Sequence, residues 1–154
     1  MAMYLVRHAS AGVRNDSDPC DGDRPLDPTG AEQAVHLCEW LRHESPSLVV
    51  SSPLLRCRQT VEPLAAALDL DVAVDDRLAE GTDLDRAWEL VTSTAAGSAV
   101  LCSHGDLIPE IISRCQRRGM VIPGKSGCSK GSVWILRHWD GTTFATGTYT
   151  PVKV

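Results

Sequence analysis

The stretch MYLVRHASAG, Met3 to Gly12, decides how the rest of the chain is read. Tyr4, Leu5 and Val6 make a short apolar run, the length of a buried strand, and the run stops at an Arg7–His8 pair. Ala9, Ser10, Ala11 and Gly12 then keep the following side chains small. A strand that ends for structural reasons alone runs into Gly, Asn, Asp or Ser. A guanidinium beside an imidazole, with room kept open after it, is a chemical feature.

The same alternation of apolar run and loop continues outward. Asp27 followed by Pro28 reads as a helix cap and a proline at the first helical position, predicting a helix to about His43. Ala34, Val35, Cys38 and Leu41 give it an apolar face. Leu48 to Val50 is a short buried strand, and Ser52–Pro53 reads as a second helix start of the same kind. Leu54, Cys57, Val61, Leu64 and Leu68 share one side of that helix, and Pro63 is expected to kink or split it. Val72 to Val74 reads as a third strand, and Asp83 as the cap of a helix through about Thr94 that carries Leu84, Ala87, Trp88 and Val91. Ala99 to Cys102 is a further strand, followed by a helix with Ile108, Ile111, Ile112 and Cys115, for which Asp106 reads as the N-cap. Val133 to Trp139, a turn at Asp140–Gly141, and Thr143 to Tyr149 predict a terminal hairpin. The order predicts an α/β fold: a three-layer α/β/α sandwich with a mostly parallel central sheet and a C-terminal hairpin, as one domain over residues 1–154.

Composition narrows the class. The chain has 154 residues, 43% hydrophobic and 23% charged, which suits a globular domain with a substantial core. No apolar run reaches the length of a membrane span, and Arg7 interrupts the first run too early for a secretory signal, so no membrane contact and a cytoplasmic location are expected. The net charge of −5 argues against a broad nucleic-acid surface. An anion would have to be caught by a local cation cluster. Cys20, Cys38, Cys57, Cys102, Cys115 and Cys128 lack the close spacing of a metal knuckle and read as reduced thiols.

In a parallel sheet, ligands bind where strands end and helices begin. That rim carries Arg7–His8, then Ser51–Ser52 with Arg56 one turn on, then Glu80, then Ser103–His104–Gly105. Two guanidiniums match phosphate or carboxylate oxygens. A neutral histidine is a nucleophile, a second imidazole donates to an equatorial oxygen, and a carboxylic acid protonates a leaving oxygen. Phosphoryl transfer asks for little beyond positioning and charge stabilisation, so this inventory suffices with no metal and no cofactor. Arg24 is expected to tie down the long first loop through an ion pair. The loop Pro123 to Ser132 reads as a solvated connector, with Lys125 or Lys130 reaching a substrate's outer part as the alternative.

Four ordered blocks then carry a resemblance: RHASAG (Arg7–Gly12), DRPLDPTGAEQA (Asp23–Ala34), SSPLLRCRQT (Ser51–Thr60) and CSHGD (Cys102–Asp106). Together they resemble the histidine phosphatase (phosphoglycerate mutase-like) superfamily, and most of all its small bacterial phosphohistidine phosphatase branch. The resemblance implies that His8 is the nucleophile of a phosphohistidine intermediate. It implies that Arg7 and Arg56 grip phosphoryl oxygens, that His104 stabilises the same charge, and that Glu80 protonates the leaving group. Ala9 and Arg14 stand where mutase members carry Gly and Asn, and the chain is short, so a phosphatase is expected rather than a mutase. The expected partner is a phosphorylated small molecule or a phosphohistidine protein; phosphate esters and nucleotides remain open as substrates. Two other classes fit the same residues: a catalytically weak module that binds phosphorylated ligands, and a metal-dependent hydrolase using His8, His104 and nearby Asp residues.

Overall fold

The computed structural model of the protein describes residues 1–152. Six strands form one sheet: β1 (Ala2–Arg7), β2 (Leu48–Ser51), β3 (Val72–Val74), β4 (Ala99–Ser103), β5 (Val133–Trp139) and β6 (Phe144–Thr150). Their order across the sheet is β3-β2-β4-β1-β5-β6. The first four strands in this order pair in parallel, whereas β5 runs antiparallel to β1 and closes the hairpin with β6. The helices are α1 (Pro28–Leu41), α2 (Leu55–Ala67), α3 (Leu84–Thr94) and α4 (Ile108–Arg117).

Period-two alternation in β1 sends Met3 and Leu5 to one face and Tyr4 and Val6 to the other. Met3 and Leu5 join Ala87, Leu90 and Val91 of α3 and Ile108, Ile111 and Ile112 of α4. Tyr4 and Val6 join Leu37, Cys38 and Leu41 of α1 and Cys57, Val61 and Leu64 of α2. Both faces of the central strands are thus covered, as an uninterrupted apolar strand requires. The expected three-layer sandwich and hairpin are both present.

Four local expectations are corrected. Helix α2 begins at Leu55, not at Ser52–Pro53, and its N-cap Leu54 makes no side-chain capping bond. It runs unbroken through Pro63 to Ala67, so the proline does not split the helix. Helix α4 is capped by Leu107 without a side-chain bond, because the Asp106 carboxylate accepts instead from the Gly81 N–H, at 2.8 Å. Val35 points outward at 54% exposure; the buried stripe of α1 runs through Gly30, Ala34, Leu37, Cys38 and Leu41. Asp27 caps α1 as expected, accepting from the Gly30 N–H at 2.7 Å. The helix from Pro28 stops at Leu41 and tightens into a 3-10 turn over Arg42–Glu44. All six cysteines are free, and among the described residues no helix is long and apolar enough to cross a membrane.

The register fixes where the rim lies. Arg7 pairs with Ser103, and Ser51 pairs with Cys102. The carboxyl ends of β1, β2 and β4 therefore finish level with one another, and the residues that follow each strand emerge side by side.

Candidate active site

A cleft of about 370 Å³ opens at that edge, lined by Arg7, His8, Arg14, Arg24, Arg56, Glu80, His104, Gly105, Asp106 and Lys130. Every candidate from the rim, Arg7, His8, Arg56, Glu80 and His104, is in this set.

His8 is held by backbone on two sides. Its N–H donates to the Ser103 carbonyl at 3.1 Å, and its carbonyl accepts from the Gly131 N–H at 3.0 Å. Its ring Nδ1 lies 2.8 Å from the Ala9 carbonyl. A carbonyl only accepts, so Nδ1 carries the proton and Nε2 is left with its lone pair. Burial pushes the His8 pKa down to about 3; the Ala9 carbonyl works against this, while His104, Arg56 and Arg7 add to it by like-charge repulsion. The ring is thus neutral in ordinary buffers.

That depression links stability to pH. A histidine whose native pKa lies below its unfolded value binds fewer protons folded than unfolded between the two. The stability it contributes is complete above the unfolded value of 6.5 and is lost as pH falls toward about 3. Thermal unfolding of wild type and His8→Ala at a series of pH values should show the wild type losing stability faster below pH 6.5. Parallel curves would mean that His8 is not buried in its neutral form.

The loop after His8 is shaped by α1 and α2. The Ala9 N–H donates to Thr60 Oγ1 at 2.9 Å, and that hydroxyl donates to the Arg56 carbonyl at 2.7 Å. Ser10 donates from its N–H to Gln33 Oε1 and from its hydroxyl to Asp27 Oδ2. The first turn of α1 lies so close that a Cβ on Gly30 would sit 1.9 Å from the Ser10 carbonyl oxygen. Glycine is required there by contact with backbone that cannot yield.

Arg7 donates from Nη1 to the Cys128 carbonyl at 2.6 Å. A Cβ on Gly105 would fall 2.7 Å from its guanidinium carbon, so Gly105 is what lets the fork lie flat against the turn after β4. Arg56 is only 1% exposed although it stands in the first turn of α2. It reaches the Asp21 carbonyl and Glu80 Oε2, each at 3.3 Å. The other Glu80 oxygen pairs with Arg14. Arg24 pairs with Asp21 at 3.0 Å and also donates to the Ala11 carbonyl, which ties down the first loop as its charge suggested. Glu80 itself is held from behind: Ser103 Oγ donates to the Leu78 carbonyl at 2.7 Å, and Asp106 holds Gly81.

His104 is 1% exposed, its ring edge-on to that of His8 with centroids 5.4 Å apart. Its Nε2 meets Ser52 Oγ at 2.8 Å. Among the described residues, Arg7 Nε, Arg56 Nε and His104 Nδ1 are the buried side-chain polar atoms without a protein partner. Such atoms are rare in native proteins because each costs a lost hydrogen bond. Here all three belong to residues lining one cleft, a surplus of nitrogen suited to an anion. The same residues hold no group of three or more His, Cys, Asp or Glu arranged to bind a metal ion.

Reading the sequence left out Thr60 and the Ser52–His104 contact, whose partners lie far along the chain. It took Asp106 for a cap, though the residue belongs to the cleft. Lys130, the alternative reading of its loop, does line the cleft.

Comparison with known proteins bears on this arrangement. The chain is 34% identical over 144 residues to an 8-oxo-(d)GTP phosphatase of Mycolicibacterium smegmatis, covering 90% of this chain and 45% of that protein. The chain thus spans less than half the length of that relative. The structure of the protein histidine phosphatase SixA complexed with tungstate matches with a TM-score of 0.73 at 21% identity, over 98% of this chain and 95% of that one. A mycobacterial glucosyl-3-phosphoglycerate phosphatase complexed with VO3 matches with a TM-score of 0.71 at 22% identity, over 88% and 92% of the two chains. At such identities the two structures speak for the fold. Residues 3–82, which include the Arg7–His8 strand end, Arg56 and Glu80, match the model of the histidine phosphatase superfamily, branch 1, and the chain belongs to that superfamily.

Proposed function

We propose that the protein is a metal-independent phosphatase that passes the phosphoryl group of a phosphate monoester or a phosphohistidine through a covalent intermediate on His8. The observation that carries this reading is the His8 Nδ1–H bond to the Ala9 carbonyl, which leaves Nε2 as a bare nucleophile among cations. The Nε2 lone pair forms the N–P bond as the bond from phosphorus to the leaving oxygen or nitrogen breaks. Arg7 and Arg56 hold the phosphoryl oxygens through their forks, and His104 donates to a third. Water then attacks the phosphorus, giving up a proton through Glu80 to the departing phosphate as the N–P bond breaks, and inorganic phosphate leaves with His8 neutral again.

Glu80, ion-paired with Arg14 and Arg56 in the free protein, relays a proton to the leaving oxygen: it takes the proton that a phosphate monoanion carries in and passes it to the departing oxygen. A phosphoryl oxygen arriving at Arg56 competes with Glu80 for Nη2 and frees a carboxyl oxygen toward the leaving group. Ester hydrolysis needs that proton more than hydrolysis of a phosphohistidine, whose ring nitrogen departs readily. Glu80→Gln should therefore slow turnover of an alkyl phosphate about 100-fold or more, within the usual range for losing an acid, and slow a phosphohistidine peptide far less. Equal slowing of both substrates would remove Glu80 from the acid role.

The reading as a whole is tested with a chromogenic aryl phosphate, with and without EDTA. Turnover indifferent to the chelator is the expected result. Loss of activity on chelation would move His8 and His104 to metal ligands. Tight phosphate binding without turnover would make the protein a binding module.

A further inference from the structure

The proposed mechanism needs His104 to donate a hydrogen bond to the phosphoryl group, and an imidazole can do so from only one nitrogen when neutral. We propose that Ser52 is a positioning residue that fixes the tautomer of His104, forcing its proton onto Nδ1. The proposal rests on reading His104 as a phosphoryl donor and adds the device that makes it one.

The geometry is a short chain of donors. The Leu54 N–H donates to Ser52 Oγ at 3.3 Å, and Ser52 Oγ lies 2.8 Å from His104 Nε2. Ser52 and His104 are 0% and 1% exposed, so water does not stand in for a missing partner. Two assignments are open for a neutral ring. If Nε2 carried the proton, Ser52 Oγ would accept twice and its own proton would be left with the Cys57 sulfur, a weak acceptor. If instead the Ser52 hydroxyl donates to Nε2, Ser52 both accepts and donates, and the one open group is the His104 Nδ1–H. The ring proton then sits on Nδ1, the nitrogen left without a protein partner in the cleft wall. The first assignment leaves a hydroxyl proton poorly paired inside the protein, whereas the second leaves only an N–H that a bound anion would accept, so the second assignment wins.

The other neighbour of Nε2 is Cys57 Sγ, at 3.4 Å. Sulfur is a weak donor and a weak acceptor, and Cys57 Sγ also faces the Ser103 carbonyl, at 3.7 Å, so at these lengths it does not replace the hydroxyl at 2.8 Å. The Ser52 oxygen that resembles a helix cap in sequence accepts from the Leu54 N–H, one residue ahead of α2, and so does not cap the helix.

The test is nitrogen–proton correlation NMR of the His104 ring, assigned with a His104→Asn variant, alongside kinetics. Wild type should show Nδ1 protonated and Nε2 bare. Ser52→Ala should populate both tautomers and lower kcat by about 10- to 100-fold, the loss typical when the group orienting a histidine is removed. Ser52→Thr, which keeps a hydroxyl, should restore the wild-type spectrum and most of the rate. A wild-type ring protonated on Nε2 would overturn the proposal without any variant having to fold. So would a Ser52→Ala protein that keeps both the Nδ1–H signal and its kcat. The spectrum reports the tautomer whether or not His8 is a nucleophile, so the two readings fail separately.

Discussion

His8→Ala is expected to lower turnover of any phosphorylated substrate by roughly 10⁴-fold or more, the scale on which enzymes lose rate when a covalent nucleophile is removed and the remaining groups stay in place. The imidazole is only 5% exposed, and its Nε2 faces the cleft because Nδ1 is bound to the Ala9 carbonyl. The other imidazole lining the cleft, His104, has its Nε2 on Ser52 and, in the tautomer proposed above, carries its proton on Nδ1. The variant keeps Arg7 and Arg56, so its affinity for inorganic phosphate should survive. Steady-state assays with an aryl phosphate and calorimetric titration with phosphate check the two halves of this expectation. Residual activity above a few per cent would show that the chemistry runs without His8.

Arg56→Lys is the second large effect. A lysine keeps the charge but loses the planar fork, and the fork is what this position uses. Arg56 is buried in the first turn of α2 and still spans from the Asp21 carbonyl to Glu80. An ammonium in the same place reaches one of these or the phosphoryl group, not several. The expected loss in kcat/KM is about 3 kcal/mol, about 100-fold or more, as for removal of one oriented donor from a transition-state site. Glu80 would be left with Arg14 as its remaining ion-pair partner, so denaturant unfolding should also show a modest loss of stability. A lysine variant within about threefold of wild type, against that hundredfold scale, would mean that bidentate contact is not used.

Much of this was legible in the sequence, for physical reasons that can be located. The strand ends were readable because apolar runs of a few residues stopped at imidazoles beside polar partners, Arg7–His8 and Ser103–His104, and at Ser51–Ser52 one turn before Arg56. Asp27–Pro28 was readable because capping is local, decided within three residues. The failures have the opposite character. Ser52–Pro53 and Asp106 have the composition of helix starts, yet their oxygens are drawn to His104 and Gly81, which are distant in sequence. Thr60 joins Ala9 to α2 across a separation of 51 residues, and no periodicity announces such a bond. Val35 was assigned to the core because it is apolar; burial on α1 followed the stripe through Ala34, Leu37 and Leu41 instead. The charges of Arg14 and Arg24 were visible, but not that Glu80 and Asp21 would meet them.

The central claim is tested most directly by trapping. The protein is mixed rapidly with a reactive aryl phosphate, quenched at alkaline pH where an N–P bond survives, digested, and mapped by mass spectrometry. A PO3 group should be found on the peptide carrying His8, lost on brief acid treatment and missing from the His8→Ala protein. Complete turnover with no adduct on that ring at any time point, or an adduct on a different residue, would contradict the account.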